Sequence, residues 1–132
     1  MIEKLAIVSI VVKDQDEALE FYTEKLGFYK VRDVRGPIRF LTVAPNKGND
    51  TEILLQPPDP KIFGEEKANE LLNQIGKMSW IFNVDDTKKT VEELRDKGVE
   101  IIQEPRDLGP YGSEAIIADL YGNTFMLREP PK

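Results

Sequence analysis

The apolar positions at the start of the chain follow two successive periods. Residues 5–12 form a nearly continuous β-branched run, which predicts a strand covered on both faces. The next apolar residues recur at helical spacing, and Asp14 with Glu17 forms a capping box ahead of them. Gly27 follows and predicts the end of the helix. The helical positions are Ala18, Phe21, Tyr22 and Leu26.

The same pattern returns in the second half of the chain. Ser79, which opens the second strand, follows Ile7 by 72 residues, and Gly98, which ends the second helix, follows Gly27 by 71. Three further strands are predicted after each helix, at 29–34, 38–43 and 52–56 and then near 99–103, 113–118 and 124–128. The chain is therefore predicted to be α+β, with a βαβββ unit present twice. Neither unit can bury its apolar sheet face alone, so we expect them to share one structure.

We expect a single domain over residues 1–132, a length typical of one domain. Repeat one is predicted at about 4–56 and repeat two at about 78–130. The connector between them, about 57–77, starts with a proline-rich stretch that breaks the preceding strand and contains a short amphipathic helix.

Alternation along the strands separates two faces in each predicted sheet. One face is consistently apolar and is expected to pack under the helices. The other face is mixed in polarity, as the lining of a ligand cavity is. Its members include Ile7, Ser9, Glu52, Leu54, Gln56, Ser79, Ile81, Asn83, Thr124, Met126 and Arg128.

Composition removes several kinds of chemistry. The chain has no cysteine and no histidine, which excludes disulfides, thiolate catalysis and the usual catalytic triads. Its net charge of −6 disfavours nucleic acid and anionic lipid as partners. No apolar run is long enough to span a membrane, and we expect no secretory leader, so a cytoplasmic location is predicted.

Several short motifs, in this order, spacing and duplication, resemble the vicinal oxygen chelate superfamily of glyoxalase I, bleomycin-resistance proteins and extradiol dioxygenases. The resemblance implies two βαβββ repeats that form a U-shaped mixed sheet around a central cavity, the glyoxalase-like fold. The motifs are Val11-Val-Lys-Asp14, Ala18-Leu-Glu-Phe-Tyr22, Leu26-Gly-Phe28, Phe82-Asn-Val-Asp-Asp86, Gly98-Val99 and Asp119-Leu-Tyr-Gly-Asn-Thr124.

In metal-dependent members of the superfamily, the first and fourth strands of each copy provide the ligands of a divalent ion. The matching positions here are Ile7, Leu54, Ser79 and Met126. None is a histidine or a carboxylate, so we expect no metal and no other cofactor. A relocated site for a hard cation, formed by Glu52, Gln56 and Asn83, is the alternative, although one carboxylate is a poor cage for such an ion.

Glu52 is the candidate catalytic residue, since a carboxylate that faces an apolar cavity would have a raised pKa and could act as a base. Tyr111 lies in a glycine-rich loop that edges the pocket in resembling proteins, and Arg128 could pair with an anionic group. The ligand-binding candidates are Ile7, Ser9, Leu54, Gln56, Ser79, Ile81, Asn83, Tyr111, Met126 and Arg128. Each of the polar ones could instead bond only to backbone or solvent.

Three functions remain open. The first is metal-free binding of a small organic molecule, as in bleomycin-resistance proteins, by a homodimer whose cavities are completed by the partner chain; an acidic protein would suit a cationic drug. The second is a superfamily isomerase, lyase or dioxygenase with a relocated metal or with acid/base chemistry through Glu52. The third is a non-catalytic structural or regulatory dimer.

Overall fold

The computed structural model describes residues 1–77 and 79–131. It divides into two compact units, Met1–Ile75 and the residues from Gly76 onward. The predicted connector thus lies almost entirely in the first unit. The single domain over residues 1–132 stays a prediction.

The first unit contains four strands and three helices. The strands are β1 (Ile7–Val11), β2 (Tyr29–Val34), β3 (Phe40–Ala44) and β4 (Glu52–Gln56). Helix α1 (Gln15–Glu20) continues as a π-helical segment, Phe21–Lys25. Helices α2 (Pro60–Phe63) and α3 (Glu65–Gln74) follow β4.

The second unit repeats the strand–helix–three-strand order. It runs through β5 (Ser79–Asn83), α4 (Thr87–Asp96), β6 (Glu100–Asp107), a 3₁₀ turn at Gly109–Tyr111, β7 (Ser113–Ala118) and β8 (Thr124–Glu129). Each unit has one four-stranded mixed sheet, in the order β1-β4-β3-β2 for sheet A and β5-β8-β7-β6 for sheet B. The first and fourth strands of each unit pair in parallel, and the other pairs are antiparallel. The predicted α+β class and the duplicated βαβββ order are confirmed.

Corresponding residues begin and end the main helix of each unit. The Asp14 carboxylate accepts a hydrogen bond of 2.9 Å from the Glu17 backbone N–H, and Asp86 accepts one of 3.0 Å from Lys89 N–H. Each bond satisfies a donor that the first turn of a helix leaves without an intrahelical partner. Gly27 and Gly98 lie just beyond the helices and have φ of +72° and +84°, values that residues other than glycine rarely adopt.

Two elements differ from the sequence prediction. Strand β6 extends to Asp107 rather than stopping near residue 103, because an edge strand tolerates Pro105 and the register shifts on either side of Gln103. The short helix α2 was not predicted. It forms because the Asp59 side chain caps it by accepting from Lys61 N–H at 2.9 Å, with Pro60 in its first turn.

Part of the predicted helix-facing set forms the core of each unit, whereas Val8, Trp80, Phe82 and Val84 are only partly buried. Ile10, Ile53 and Leu55 are buried in sheet A, and Phe125 and Leu127 are buried in sheet B. Helix α4 contacts β6, β7 and β8, while in the first unit α1 contacts β4 and α3 contacts β1. Because side chains alternate along a strand, the intervening residues of each sheet lie on the opposite face, called here the non-helical face.

Candidate functional site

On the non-helical face of sheet B, four strands bring polar side chains into one row. Arg106 on β6 pairs with Glu114 on β7, Glu114 with Arg128 on β8, and Arg128 with Asn83 on β5. Residues paired across adjacent strands project to the same side of a sheet, so these four side chains share a face. They are called the polar row below.

The carboxylate of Glu114 lies within this row and is nearly buried, with 8% of its side chain exposed. Its Oε1 accepts hydrogen bonds from Arg106 Nε at 2.9 Å and Nη2 at 2.7 Å. Gln103 Nε2 adds a long contact of 3.5 Å to the same oxygen. All three donors therefore converge on one of the two carboxylate oxygens.

The other side of Glu114 is bounded by Arg128 and the loop before β7. Arg128 Nη2 donates to the backbone carbonyl of Tyr111 at 3.4 Å, so two predicted ligand-binding residues come together here. The Tyr111 side chain is 71% exposed. Gly112 holds the loop close to β8, because a Cβ at this position would lie 2.1 Å from the Glu129 carbonyl oxygen.

An apolar row lies beside the polar one. Met126 on β8 pairs with Ile81 on β5 and with Ile116 on β7, which puts the three side chains on the same non-helical face, two residues along from the polar row. Ile116 and Met126 are partly exposed, and Ile81 is 61% exposed. Ser79, paired with Thr124, follows at the next step of the alternation.

The corresponding face of sheet A contains the other predicted site residues. Ser9 pairs with Leu54, and Leu54 pairs with Thr42. Ile7 pairs with Glu52 at one end of this face, and Gln56 lies at the other end opposite Val11.

The environment of Glu52 is not the one expected for a catalytic base. Its Oε1 accepts from Arg32 Nε at 2.8 Å and from the Thr42 hydroxyl at 2.7 Å, and its Oε2 accepts from Arg32 Nη2 at 3.1 Å. The hydrogen bonds from Arg32 are the main cause that lowers the pKa of Glu52, with a smaller contribution from Thr42. The expectation of a raised pKa is wrong, because the carboxylate faces a guanidinium rather than an apolar cavity. A catalytic role for Glu52 stays a prediction.

Sequence reasoning missed several of the residues that define these faces. Glu114 was not predicted as a site residue, although it lies at the same alternate positions of β7 as Ile116 and Ala118, on the non-helical face. Arg32 and Thr42 were missed because their contact with Glu52 depends on the pairing of β2, β3 and β4, which periodicity does not determine.

The positions that match the family's metal ligands lack the donor atoms that a divalent ion needs. Sheet A offers Ile7 and Leu54, which have no donor atoms, and sheet B offers the Ser79 hydroxyl and the Met126 thioether. These groups do not fit a divalent first-row ion, which takes imidazole or carboxylate ligands. Within residues 1–77 and 79–131, no three His, Cys, Asp or Glu side chains form a group that could hold a metal.

A groove of about 520 Å³ lies at the end of sheet B. Its walls include Lys88 near the start of α4, Ser113 and Glu129. Its lining also includes Arg106 of the polar row and Gly112, so the groove adjoins the end of that row. Thr87, whose N–H donates to Glu129 at 2.8 Å and whose hydroxyl contacts Ser113 Oγ at 2.8 Å, joins α4 to these strand ends.

A family model for the glyoxalase/bleomycin resistance protein/dioxygenase superfamily matches residues 4–127. The chain belongs to this superfamily. The glyoxalase-like fold implied by the sequence motifs is thereby confirmed.

Relatives within the superfamily cover nearly the whole chain. An uncharacterized protein of Bacillus subtilis (strain 168), YurT, is 38% identical over 126 residues, which are 94% of this chain and 97% of that protein. The crystal structure of UcmS2 is 38% identical, covers 98% of this chain and 99% of its own, and superposes with a TM-score of 0.87. TnmS3, an antibiotic binding protein from Streptomyces sp. CB03234, is 29% identical, covers 98% of both chains and has a TM-score of 0.79.

None of the helices in the described part of the chain is long and apolar enough to cross a bilayer.

Proposed function

We propose that this superfamily member binds a small organic molecule without a metal ion, on the non-helical faces of its strands. One observation carries the proposal: the row of Ile81, Met126 and Ile116 lies next to a row of hydrogen-bonding side chains on the same face of sheet B. Apolar surface with a few well-placed polar groups is the usual composition of a small-molecule site.

The apolar row supports binding of a flat hydrocarbon surface. Ile81 is exposed and Ile116 and Met126 are partly exposed, whereas the residues that alternate with them on β7 and β8 are buried. Covering them with a ligand would remove apolar area from water, which contributes roughly 25 cal/mol for each Å². The non-helical face of sheet A is proposed as a ligand-binding surface by itself, with Ser9, Leu54, Gln56 and Ile7 as its contacts.

The similarity to TnmS3 supports the same class of function. That protein is described as antibiotic binding and is similar to this chain over nearly its full length. By analogy we propose that the ligand here is an antibiotic or a metabolite of similar size, and the apolar row favours an aromatic one. The assembly into a homodimer and the cytoplasmic location remain predictions from the sequence.

Two isoleucines provide a matched test. Ile81 lies on edge strand β5 in the apolar row, whereas Ile102, 51% exposed, lies in the bulge of the other edge strand, β6. Isothermal titration with a panel of aromatic antibiotics and aromatic acids should yield at least one ligand. Ile81→Asn should weaken its binding about tenfold, and Ile102→Asn by less than twofold.

Two results would contradict this proposal. One is an equal loss of affinity in both variants, which would place the ligand elsewhere. The other is the failure of the whole panel to bind. Elemental analysis of protein purified without chelator tests the metal-free part separately, since a stoichiometric divalent ion would overturn it.

A further inference from the structure

Glu114 has hydrogen-bonding capacity that the chain leaves unused. Its side chain is more than nine-tenths buried, yet every donor given by the described residues is directed at Oε1. Oε2 accepts no bond from residues 1–77 or 79–131. A carboxylate oxygen with little exposure and no donor from the protein is costly, and a donor from a ligand would satisfy it.

That oxygen is also reachable. Among the described residues, every fully buried side-chain oxygen or nitrogen has a hydrogen-bond partner. Oε2 lacks a partner, so it must retain some accessible surface. Oε2 is therefore at least partly open to a donor from outside the chain.

The charges around Oε2 restrict what that ligand group is. Arg106 and Arg128 flank the single carboxylate of Glu114 on the two neighbouring strands, so the polar row has an excess of one positive charge. A ligand ammonium at Oε2 would be repelled by both guanidinium groups. A neutral donor such as a hydroxyl avoids this repulsion.

Arg128 provides the complementary half of the site. Its one hydrogen bond to the described residues is the long contact with the Tyr111 carbonyl, so most of its guanidinium donors remain for a ligand. A guanidinium in this position favours a carboxylate, which it can bind with two parallel bonds. The local charge thus favours an anionic ligand, although the whole protein is acidic.

We propose that Glu114 and Arg128 select aromatic acids that carry a hydroxyl group in the meta position to the carboxylate. The hydroxyl would donate to Glu114 Oε2, the carboxylate would bind Arg128, and the rings would lie on Ile116, Met126 and Ile81. The Cβ atoms of residues paired across two strands lie about 5 Å apart. This is close to the separation between a meta hydroxyl oxygen and the carboxylate carbon on one ring. An ortho hydroxyl is too close to its carboxylate and bonds to it internally. The inference rests on the proposed function and specifies its ligand class.

Three related probes test this selection by isothermal titration at pH 7. They are 4-hydroxy-2-naphthoate, with a meta hydroxyl; 3-hydroxy-2-naphthoate, with an ortho hydroxyl; and 2-naphthoate, with none. The wild-type protein should bind the meta compound about tenfold more tightly than the other two, the effect of one hydrogen bond to a charged acceptor.

Variants then assign the effect to residues. Glu114→Gln keeps an oxygen for Arg106 but replaces the free acceptor with a donor, so the meta preference should fall below twofold. Glu104→Gln is the control, since Glu104 also lies in sheet B and pairs with an arginine, Arg95, outside the polar row. It should keep the full preference. Arg128→Gln should weaken all three probes by a similar factor.

The outcomes separate the inference from the function on which it rests. Equal affinity of wild-type protein for all three probes, or a meta preference that survives Glu114→Gln, would overturn the inference alone. It would also be overturned if none of the naphthoates bound while another panel compound bound in an Ile81-dependent manner. If no compound of the panel and none of the naphthoates bound, both the proposed function and this inference would be wrong. The comparison of probes on wild-type protein stands even where Glu114→Gln fails to fold.

Discussion

Glu52 and Glu114 are both largely buried glutamates on the non-helical face of their own sheet, and each is bound by an arginine from an edge strand. They differ in how their oxygens are used. Arg32 and Thr42 engage both oxygens of Glu52, whereas the donors around Glu114 all meet at Oε1. The first carboxylate is satisfied within the fold, and the second has an acceptor left for a ligand.

The strand positions of the two glutamates explain this difference. Glu52 lies on β4, and Arg32 on β2 reaches it across β3, where the Thr42 hydroxyl adds a donor. Glu114 lies on β7, immediately beside Arg106 on β6, and has Arg128 rather than a hydroxyl on its other side. The duplicated fold thus supports an internal ion pair in one copy and a candidate recognition site in the other.

The largest expected effect comes from the loop before β7, whose Tyr111 carbonyl binds Arg128 beside Glu114. Gly112→Ala would place a Cβ 2.1 Å from the Glu129 carbonyl oxygen at a φ of +93°. The chain must then move, so the free energy of unfolding should fall by about 3 kcal/mol or more. The contact between Arg128 and Tyr111 should be lost as well. Urea denaturation measures the change.

Gly109→Ala in the same loop is the matched control. Its φ is also positive, at +62°, but a Cβ there would meet no heavy atom within 4 Å. The expected cost is the backbone strain alone, about 1–2 kcal/mol. Similar losses in both variants would show that the close approach of Gly112 to β8 does not constrain the loop.

A smaller effect is expected from a change at Glu52, the glutamate whose two oxygens are both bound within the fold. Glu52→Gln removes the charge from two Arg32 bonds and should lower the free energy of unfolding at pH 7 by about 2 kcal/mol. Because the folded-state pKa of Glu52 is lowered from 4.5, its stabilisation is present above that value and is lost as pH falls below it. The gap between wild type and variant should therefore narrow in acid. A gap that widens in acid would mean that Glu52 has a raised pKa, as a catalytic base would.

The sequence predicted the repeated architecture well because the periods of its strands, the capping box at Asp14 and the stops at Gly27 and Gly98 are local signals. Alternation also placed Met126 and Arg128 on a common face. It could not show that Glu52 meets Arg32, or that Glu114 meets Arg106. Those contacts depend on strand order and on the β6 bulge, which bring together residues that are separate along the chain.

The smallest predicted effect is a difference of about 1 kcal/mol between two threonine variants, which tests why Glu52 is fully satisfied. Thr42 is completely buried and donates its hydroxyl to the carboxylate, while the equally buried Thr87 shares a bond with the neutral Ser113 hydroxyl. Bonds to charged groups contribute more than neutral ones, so Thr42→Val should cost about 2 kcal/mol and Thr87→Val about 1 kcal/mol by thermal denaturation at pH 7. Thr42→Val should also raise the pKa of Glu52, which carboxylate NMR can follow, because one of the bonds that lower it is gone. Equal stability of the two valine variants, together with an unchanged pKa of Glu52, would contradict this role of Thr42. The difference between Glu52 and Glu114 would then come from Arg32 alone.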